Sequence, residues 1–425
     1  MKRAIVALLL GVLAVLALVA FLNFRGEDKI HDAPPLTPPS GDSVARGEYL
    51  VRAGNCMACH TQRGGVPFAG GRAIETPFGT TYAGNLTPDR ATGIGEWSAD
   101  HFWRALHNGR SRDGRLLYPA FPYPNYTRVT RPDADAMFDY LRSLKPVARA
   151  NTPHRLRWPY STQAALAVWR AMYFTPSAQR HDDAQAAQGD RGAYLVQGLG
   201  HCSACHTARN VLGASGDMTD LSGGLIPVQN WYAPSLASVA EAGLQDWEPA
   251  QIERLLLTGV SAGGTVLGPM AEVVLHSTQH LTPSDARAMA VYLKSLPRSG
   301  GASAGAGGPP TGARMAERGA KLYEDHCAAC HGDRGEGVPG AYPPLAGNRA
   351  VMLPVTANLV QVILGGGFPP ATAGNPRPFG MPPFATVLGD GDVAAVISHI
   401  RSAWGNRGGA VSEFEVARQR GTTGP

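Results

Sequence analysis

The 425-residue sequence has no cysteine to spare: its six cysteines fall into three Cys-x-x-Cys pairs, leaving none to tie domains together by a disulfide. Charge is sparse as well. Asp, Glu, Lys and Arg make up 17 % of the chain, the net charge of +5 is small for the length, and the basic residues are scattered, which argues against a nucleic-acid partner. Strand-like alternation is scarce, so the fold is expected to be mostly α. Long apolar runs are missing except for one. Lys2 and Arg3 precede an uncharged, almost wholly apolar stretch from Ala4 to Leu22, followed by Arg25 and a Pro-rich segment with Pro34, Pro35, Pro38 and Pro39. Residues 1–25 therefore read as a membrane anchor or a signal. The run is longer than the usual signal core and its small-residue site, ending at Ala17, is poor, which favours the anchor. Either reading exports the rest of the chain, because the positive residues stay cytoplasmic.

What is present is repetition. Arg46-Gly47-Glu48-Tyr49-Leu50-Val51, Arg191-Gly192-Ala193-Tyr194-Leu195-Val196 and Arg318-Gly319-Ala320-Lys321-Leu322-Tyr323 each precede one cysteine pair. Much later, each pair is followed by a segment with apolar residues three and four apart: Asp133 to Lys145, Ser284 to Leu296 and Asp390 to Trp404. These spacings predict amphipathic helices, each starting near an Asp or Ser suited to capping. The unit is thus a helix, a cysteine pair, a long Gly/Pro-rich loop and a closing helix, used three times. Successive pairs lie more than a hundred residues apart, which fits tandem domains rather than a short-period solenoid. The expected division is a linker over 26–41, domains over 42–150, 185–297 and 312–408, a connecting segment over 151–184, a Gly-rich linker over 298–311 and a C-terminal tail over 409–425. In the connecting segment, Leu166, Trp169, Met172 and Tyr173 are expected to share one side of a helix, packed on a neighbouring domain or docked on a partner or membrane surface.

A histidine follows every pair: Cys56-Met57-Ala58-Cys59-His60, Cys202-Ser203-Ala204-Cys205-His206 and Cys327-Ala328-Ala329-Cys330-His331. Cys-x-x-Cys-His is the attachment signature of c-type haem. Thiols three apart on one helical turn reach the two vinyl groups of a porphyrin, and the adjacent histidine lies under the iron as proximal ligand. A structural zinc site would need two such pairs close together, and a redox dithiol would need neither the histidine nor the triplication. Three covalent haems are therefore expected, with His60, His206 and His331 as proximal ligands.

An electron-transfer haem also takes a sixth ligand, and methionine there raises the potential. Gly268-Pro269-Met270 and Phe379-Gly380-Met381-Pro382-Pro383 offer Met270 and Met381 before the second and third closing helices. The first domain breaks the pattern: Leu117-Tyr118-Pro119-Ala120-Phe121-Pro122-Tyr123 puts phenylalanine, which cannot ligate iron, at that place. Three readings stay open for this centre: His107 as a nitrogen ligand, another donor such as His101, or a five-coordinate iron. Of the other histidines, His201 and His326 precede attachment cysteines and are expected to be solvated.

Further stretches, among them Gly84-Asn85-Leu86-Thr87-Pro88-Asp89, Trp231-Tyr232-Ala233-Pro234-Ser235-Leu236, Tyr292-Leu293-Lys294-Ser295-Leu296-Pro297 and Pro343-Pro344-Leu345-Ala346-Gly347-Asn348, make the sequence recognisable. Over nearly its whole length after the apolar run it resembles the tri-haem cytochrome c subunit of bacterial membrane-bound dehydrogenases. The resemblance implies three tandem class I cytochrome c-like domains behind an N-terminal transmembrane segment, at the periplasmic face of the inner membrane. It implies an electron-transfer subunit rather than an enzyme on its own. Electrons would pass from a catalytic dehydrogenase subunit to ubiquinone or a downstream cytochrome or oxidase. Members with alcohol or gluconate partners commonly carry methionine at the position of Phe121. The phenylalanine variant with an anchor looks more like cytochromes that accompany molybdenum hydroxylases acting on aldehydes or N-heterocycles. The rival reading is a self-contained haem enzyme, such as a peroxidase, with an open iron in the first domain.

Overall fold

The computed structural model describes residues 1–31, 38–177, 191–262, 264–298 and 312–421. The Gly-rich linker expected over 298–311, apart from Arg298, lies outside them, as do residues 32–37 of the Pro-rich linker and 178–184 of the connecting segment. The described chain is mostly helical and divides into two compact units, one drawn from Met1–His201 and Asn210–Ala214, the other from Cys202–Arg209 and Ser215–Pro425.

The first unit opens with α1, Lys2–Phe24, whose apolar side chains are exposed along its length. Helix α2, Gly41–Ala53, leads into the short α3, Cys56–His60. Strands β1, Ala73–Thr76, and β2, Gly79–Tyr82, form an antiparallel hairpin. Helices α4, Ala99–Asn108, α5, Tyr123–Tyr126, and α6, Arg131–Ser143, follow. A third strand, β3, Arg155–Leu156, then adds to β2. The unit is completed by α7, Gln163–Tyr173, and α8, Arg191–Ala193, which runs on as a π-helical turn over Tyr194–Leu199.

Helices α2 and α6 pack together and give the repeated Arg-Gly its reason. A Cβ on Gly47 would lie 1.8 Å from the carbonyl oxygen of Ala136, so only glycine lets the helices approach this closely. Arg46 beside it donates to Asp133 from Nε at 2.9 Å. The expected capping by Asp133 is corrected: the cap is Thr130, whose hydroxyl accepts from the Asp133 N–H, and Asp133 lies in the first turn, free to take Arg46 and the Tyr194 hydroxyl at 2.6 Å. Leu50, Val51, Met137, Phe138 and Leu141 are buried between the helices, and the Phe102 ring of α4 stacks on Phe138 at 5.4 Å.

The last turn of α1 is wired into this unit. Asn23 is buried; its Nδ2 donates to the carbonyl of Ala167 on α7 at 2.9 Å, and its Oδ1 accepts from Arg170 Nε at 3.0 Å. Arg110, itself buried, donates to the Asn23 carbonyl and pairs with Glu27. On α7 the packed stripe is Leu166, Arg170 and Phe174, four residues apart. The sequence-based grouping of Leu166 with Trp169, Met172 and Tyr173 is thereby corrected, since Met172 and Tyr173 face outward.

The second unit begins at α9, Ser203–His206. It continues with the hairpin β4, Gly224–Ile226, and β5, Trp231–Ala233, then α10, Pro249–Thr258. A small hairpin follows, β6, Val260–Ser261, with β7, Gly264–Thr265. Helices α11, Pro269–His276, and α12, Pro283–Ser295, close the second repeat. Here too the cap is a threonine, Thr282, and not Ser284. The third repeat runs through α13, Ala313–His326, α14, Ala328–His331, α15, Arg349–Met352, α16, Ala357–Gly365, and α17, Asp390–Ser402. Helices α13 and α17 repeat the first crossing: Gly319 abuts Ala395, and Arg318 pairs with Asp392 at 2.6 Å. Residues read from sequence as a tail contain α18, Glu413–Arg420, capped by Ser412. Its Val416 is buried in the core with Val360, Val393 and Ile397, which an eight-residue segment of low mean hydropathy did not signal.

Candidate haem centres

Each Cys-x-x-Cys-His lies on one short helical turn, so both thiols and the histidine issue from one backbone segment. In the second and third motifs the histidine N–H donates to the carbonyl of the first cysteine, at 2.9 Å for His206 and 3.0 Å for His331. In the first, Asn55 in left-handed conformation starts the turn. All six thiols are free of disulfides. Burial pushes Cys56 and Cys202 up to about 12 and Cys327 up to about 11, so these three are protonated thiols at neutral pH.

The three histidines share a second bond. His60 Nδ1 donates to the Gly84 carbonyl at 2.7 Å, His206 Nδ1 to that of Pro234 at 2.8 Å and His331 Nδ1 to that of Pro343 at 3.0 Å. A carbonyl accepts only, so it fixes the proton on Nδ1 and leaves the Nε2 lone pair for a metal. Burial holds all three below the usual histidine range, which keeps the imidazoles neutral and ligand-competent. The histidines' own carbonyls accept, at 2.8 Å each, from the N–H groups of Gly70, Gly223 and Gly337. Those glycines have φ of 73°, 90° and 67°, and a Cβ on any of them would come within 2.6–2.8 Å of the segment carrying the acceptor carbonyl. A left-handed glycine thus holds each acceptor segment against its histidine.

Sequence reasoning missed this set. The acceptors lie 24, 28 and 12 residues beyond their histidines, so no fixed spacing announces them. The available signal was the shared Tyr82-Ala83-Gly84-Asn85-Leu86 and Tyr232-Ala233-Pro234-Ser235-Leu236, in both of which the third residue is the acceptor.

The residues expected as sixth ligands differ from one repeat to the next. Met381 is held by a two-way backbone bridge with Gly367, 3.0 and 2.8 Å, and packs against the core of the third repeat, as do Cys327, Ala328, Phe384 and Trp404. The structure thus brings Met381 and the third attachment site to one apolar cluster. Met270 is half-buried in the first turn of α11, after Gly268, whose φ of 56° lets it sit against the Trp231 indole. Phe121 borders the first centre: its ring meets that of Tyr126 at 5.3 Å, and the Tyr126 hydroxyl donates at 2.9 Å to Gly54, two residues before Cys56. His107 is buried on α4 with its ring stacked on Trp103 at 4.5 Å. His101 serves in the α4 cap, its Nδ1 accepting from the Ser98 N–H at 3.1 Å. Met137 is a core residue, 1 % exposed. His326 is exposed as expected, but His201 is half-buried with its ring against Tyr126 at 5.5 Å, which corrects the solvated reading.

The donor set fits c-type haem in each motif: two thiols on one turn and a histidine whose Nδ1 is already committed. Comparison with known proteins supports covalently bound haem c. The cytochrome c family model matches residues 190–297 and 316–404. The chain is 39 % identical to the cytochrome c subunit of the quinone-type alcohol dehydrogenase of Gluconobacter oxydans, over 90 % of this chain and 83 % of that protein. It is 38 % identical to the gluconate 2-dehydrogenase cytochrome c subunit of Pantoea cypripedii, over 99 % and 95 %. A nicotinate dehydrogenase subunit of Pseudomonas putida is 39 % identical over 86 % of this chain, which matches 31 % of that longer protein.

Proposed function

The chain belongs to the cytochrome c family, among the cytochrome c subunits of dehydrogenases, and from that premise we propose that it holds three covalent haems and relays electrons from a periplasmic catalytic subunit to ubiquinone. The observation that carries this reading is the threefold recurrence of one local device, a Cys-x-x-Cys-His turn whose histidine donates Nδ1 to a backbone carbonyl. Bound haem supplies reversible one-electron chemistry at iron.

The residues have separate tasks. Cys56 and Cys59, Cys202 and Cys205, and Cys327 and Cys330 tether. His60, His206 and His331, with Nδ1 committed to a carbonyl, would offer Nε2 to the iron. Met270 and Met381 would supply thioether sulfur as further ligands in the second and third domains, and His107 would supply nitrogen in the first. Three cytochrome domains over 42–150, 185–297 and 312–408 house them, behind a membrane anchor at α1. The network tying Asn23, Arg25 and Glu27 to α7 and Arg110 supports retention of that anchor, because these residues are part of the folded first unit.

Phe121 and the similarity to a nicotinate dehydrogenase component favour a catalytic partner of the molybdenum-hydroxylase type, acting on an aldehyde or N-heterocycle. The relay is tested by haem quantification and spectroelectrochemical titration of the purified protein, before and after His107→Ala. Three haems per chain and a selective displacement of one component are expected. Three haems with no displacement would remove His107 as a ligand, and fewer haems would remove the proposed count.

A further inference from the structure

Helix α7, Gln163-Ala164-Ala165-Leu166-Ala167-Val168-Trp169-Arg170-Ala171-Met172-Tyr173, contains a single charged residue. On a helix facing water that charge belongs outside and the apolar side chains inside. Here the order is reversed. Arg170 is 3 % exposed, while Val168, Met172 and Tyr173 are 46, 55 and 39 % exposed. Trp158, on the turn leading into the helix, is 82 % exposed. Water gives no reward for this inversion, whereas an apolar or interfacial medium does.

What lies against the outer side is set by what the inner side is fixed to. Arg170 donates to Asn23, Asn23 donates to the Ala167 carbonyl, and Arg25 donates to the Phe174 carbonyl at 2.8 Å and the Thr175 hydroxyl at 2.7 Å. Helix α7 is therefore joined to the last turn of α1 and to the residue just beyond it. Twenty-three residues at about 1.5 Å each make α1 about 35 Å long, against about 30 Å for a hydrocarbon core. The uncharged run Ala4–Leu22 fills that core, and Asn23, the first strongly polar residue after it, falls at the headgroup boundary. Whatever plane holds Asn23 holds α7.

We propose that α7 is an interfacial helix, lying in the headgroup region of the membrane that α1 crosses with Val168, Met172 and Tyr173 toward the acyl chains. The inference rests on the reading of α1 as a span. Tyr173 and Trp158 have the amphipathic rings that this layer favours, and the Trp169 and Tyr173 rings pack one turn apart at 5.6 Å. A single spanning helix leaves a domain free to swivel. A second attachment beside it fixes the orientation of the first unit on the lipid, so that a membrane-soluble acceptor meets the Cys56–His60 centre in one geometry.

The test uses the full-length haem protein in liposomes of phosphatidylethanolamine and phosphatidylglycerol containing photoreactive phospholipids, with the group either near the headgroup or deep in the acyl chain. Labelled peptides are mapped by mass spectrometry. Expected is labelling of α1 by the deep probe and of the α7 peptide by the shallow probe, several-fold above the peptide with Val211, a 93 % exposed residue of the same unit. The double variant Val168→Glu/Met172→Glu should lose the α7 label while haem content and α1 labelling persist. Labelling of α1 with α7 at the Val211 level would overturn the proposal, and so would capture of α7 by a second copy of the chain instead of lipid. Absence of label from α1 would instead overturn the span on which it rests.

Discussion

The first and third repeats combine the same histidine-holding hardware with different loops before the closing helix. In both, an Arg-Gly helix crosses the closing helix, a histidine donates to a loop carbonyl, and a left-handed glycine clamps that loop. Yet the first presents Phe121 before Pro122, packed on Tyr126, where the third presents Met381 before Pro382, packed on the buried core of the third repeat. The histidine side is built from backbone: a loop carbonyl accepts from Nδ1, and a left-handed glycine donates to the histidine's own carbonyl. The other loop differs by a single side chain, Phe121 against Met381, on scaffolds that are otherwise alike.

The helix crossing offers the largest test of the shared scaffold. Alanine at Gly47 would put Cβ 1.8 Å from the Ala136 carbonyl oxygen, and at Gly319 2.3 Å from that of Ala395. Overpacking against backbone should cost about 3 kcal/mol at Gly47 and about 2 kcal/mol at Gly319, read from denaturant unfolding of each variant. Equal and negligible losses would show that the crossing is not what the glycines serve.

Next comes the distal contrast itself. Met381→Phe makes the third loop resemble the first and should lower one haem's potential by on the order of 0.1 V, about 2.3 kcal/mol per electron, within the ~0.8 V that axial ligands span. Haem content should not change. Spectroelectrochemistry that finds every potential unmoved would dissociate Met381 from the iron.

The smallest effect separates the two ion pairs. Asp133 takes both Arg46 and Tyr194 and is 2 % exposed, whereas Asp392 is paired to Arg318 and is 22 % exposed. Asp133→Asn should cost about 1–2 kcal/mol and Asp392→Asn about 0.5 kcal/mol, since exposed arginines screen part of each pair. Thermal melts showing the reverse order would mean that the Tyr194 bond contributes little.

Much of the closing helices was legible. Their cores, Phe138 and Leu141 in the first and Val396 and Ile397 in the third, follow the three-and-four spacing, and the observed bounds fall within two residues of those expected. Caps were misplaced because a threonine hydroxyl and an aspartate carboxylate both suit a helix start, and only the backbone geometry of Thr130 and Thr282 shows which one accepts the N–H. Helix α18 escaped notice because its single buried Val416 cannot produce a periodic signal.

By itself the sequence determined the three attachment turns and the membership of the chain in its family, because thiols and histidine three and four residues apart on one turn are fixed by local geometry. Tertiary structure alone decided which carbonyl orients each histidine and which side of α7 faces outward. Those partners arrive over loops of unequal length or from a helix 144 residues away, and no local rule of spacing reaches that far.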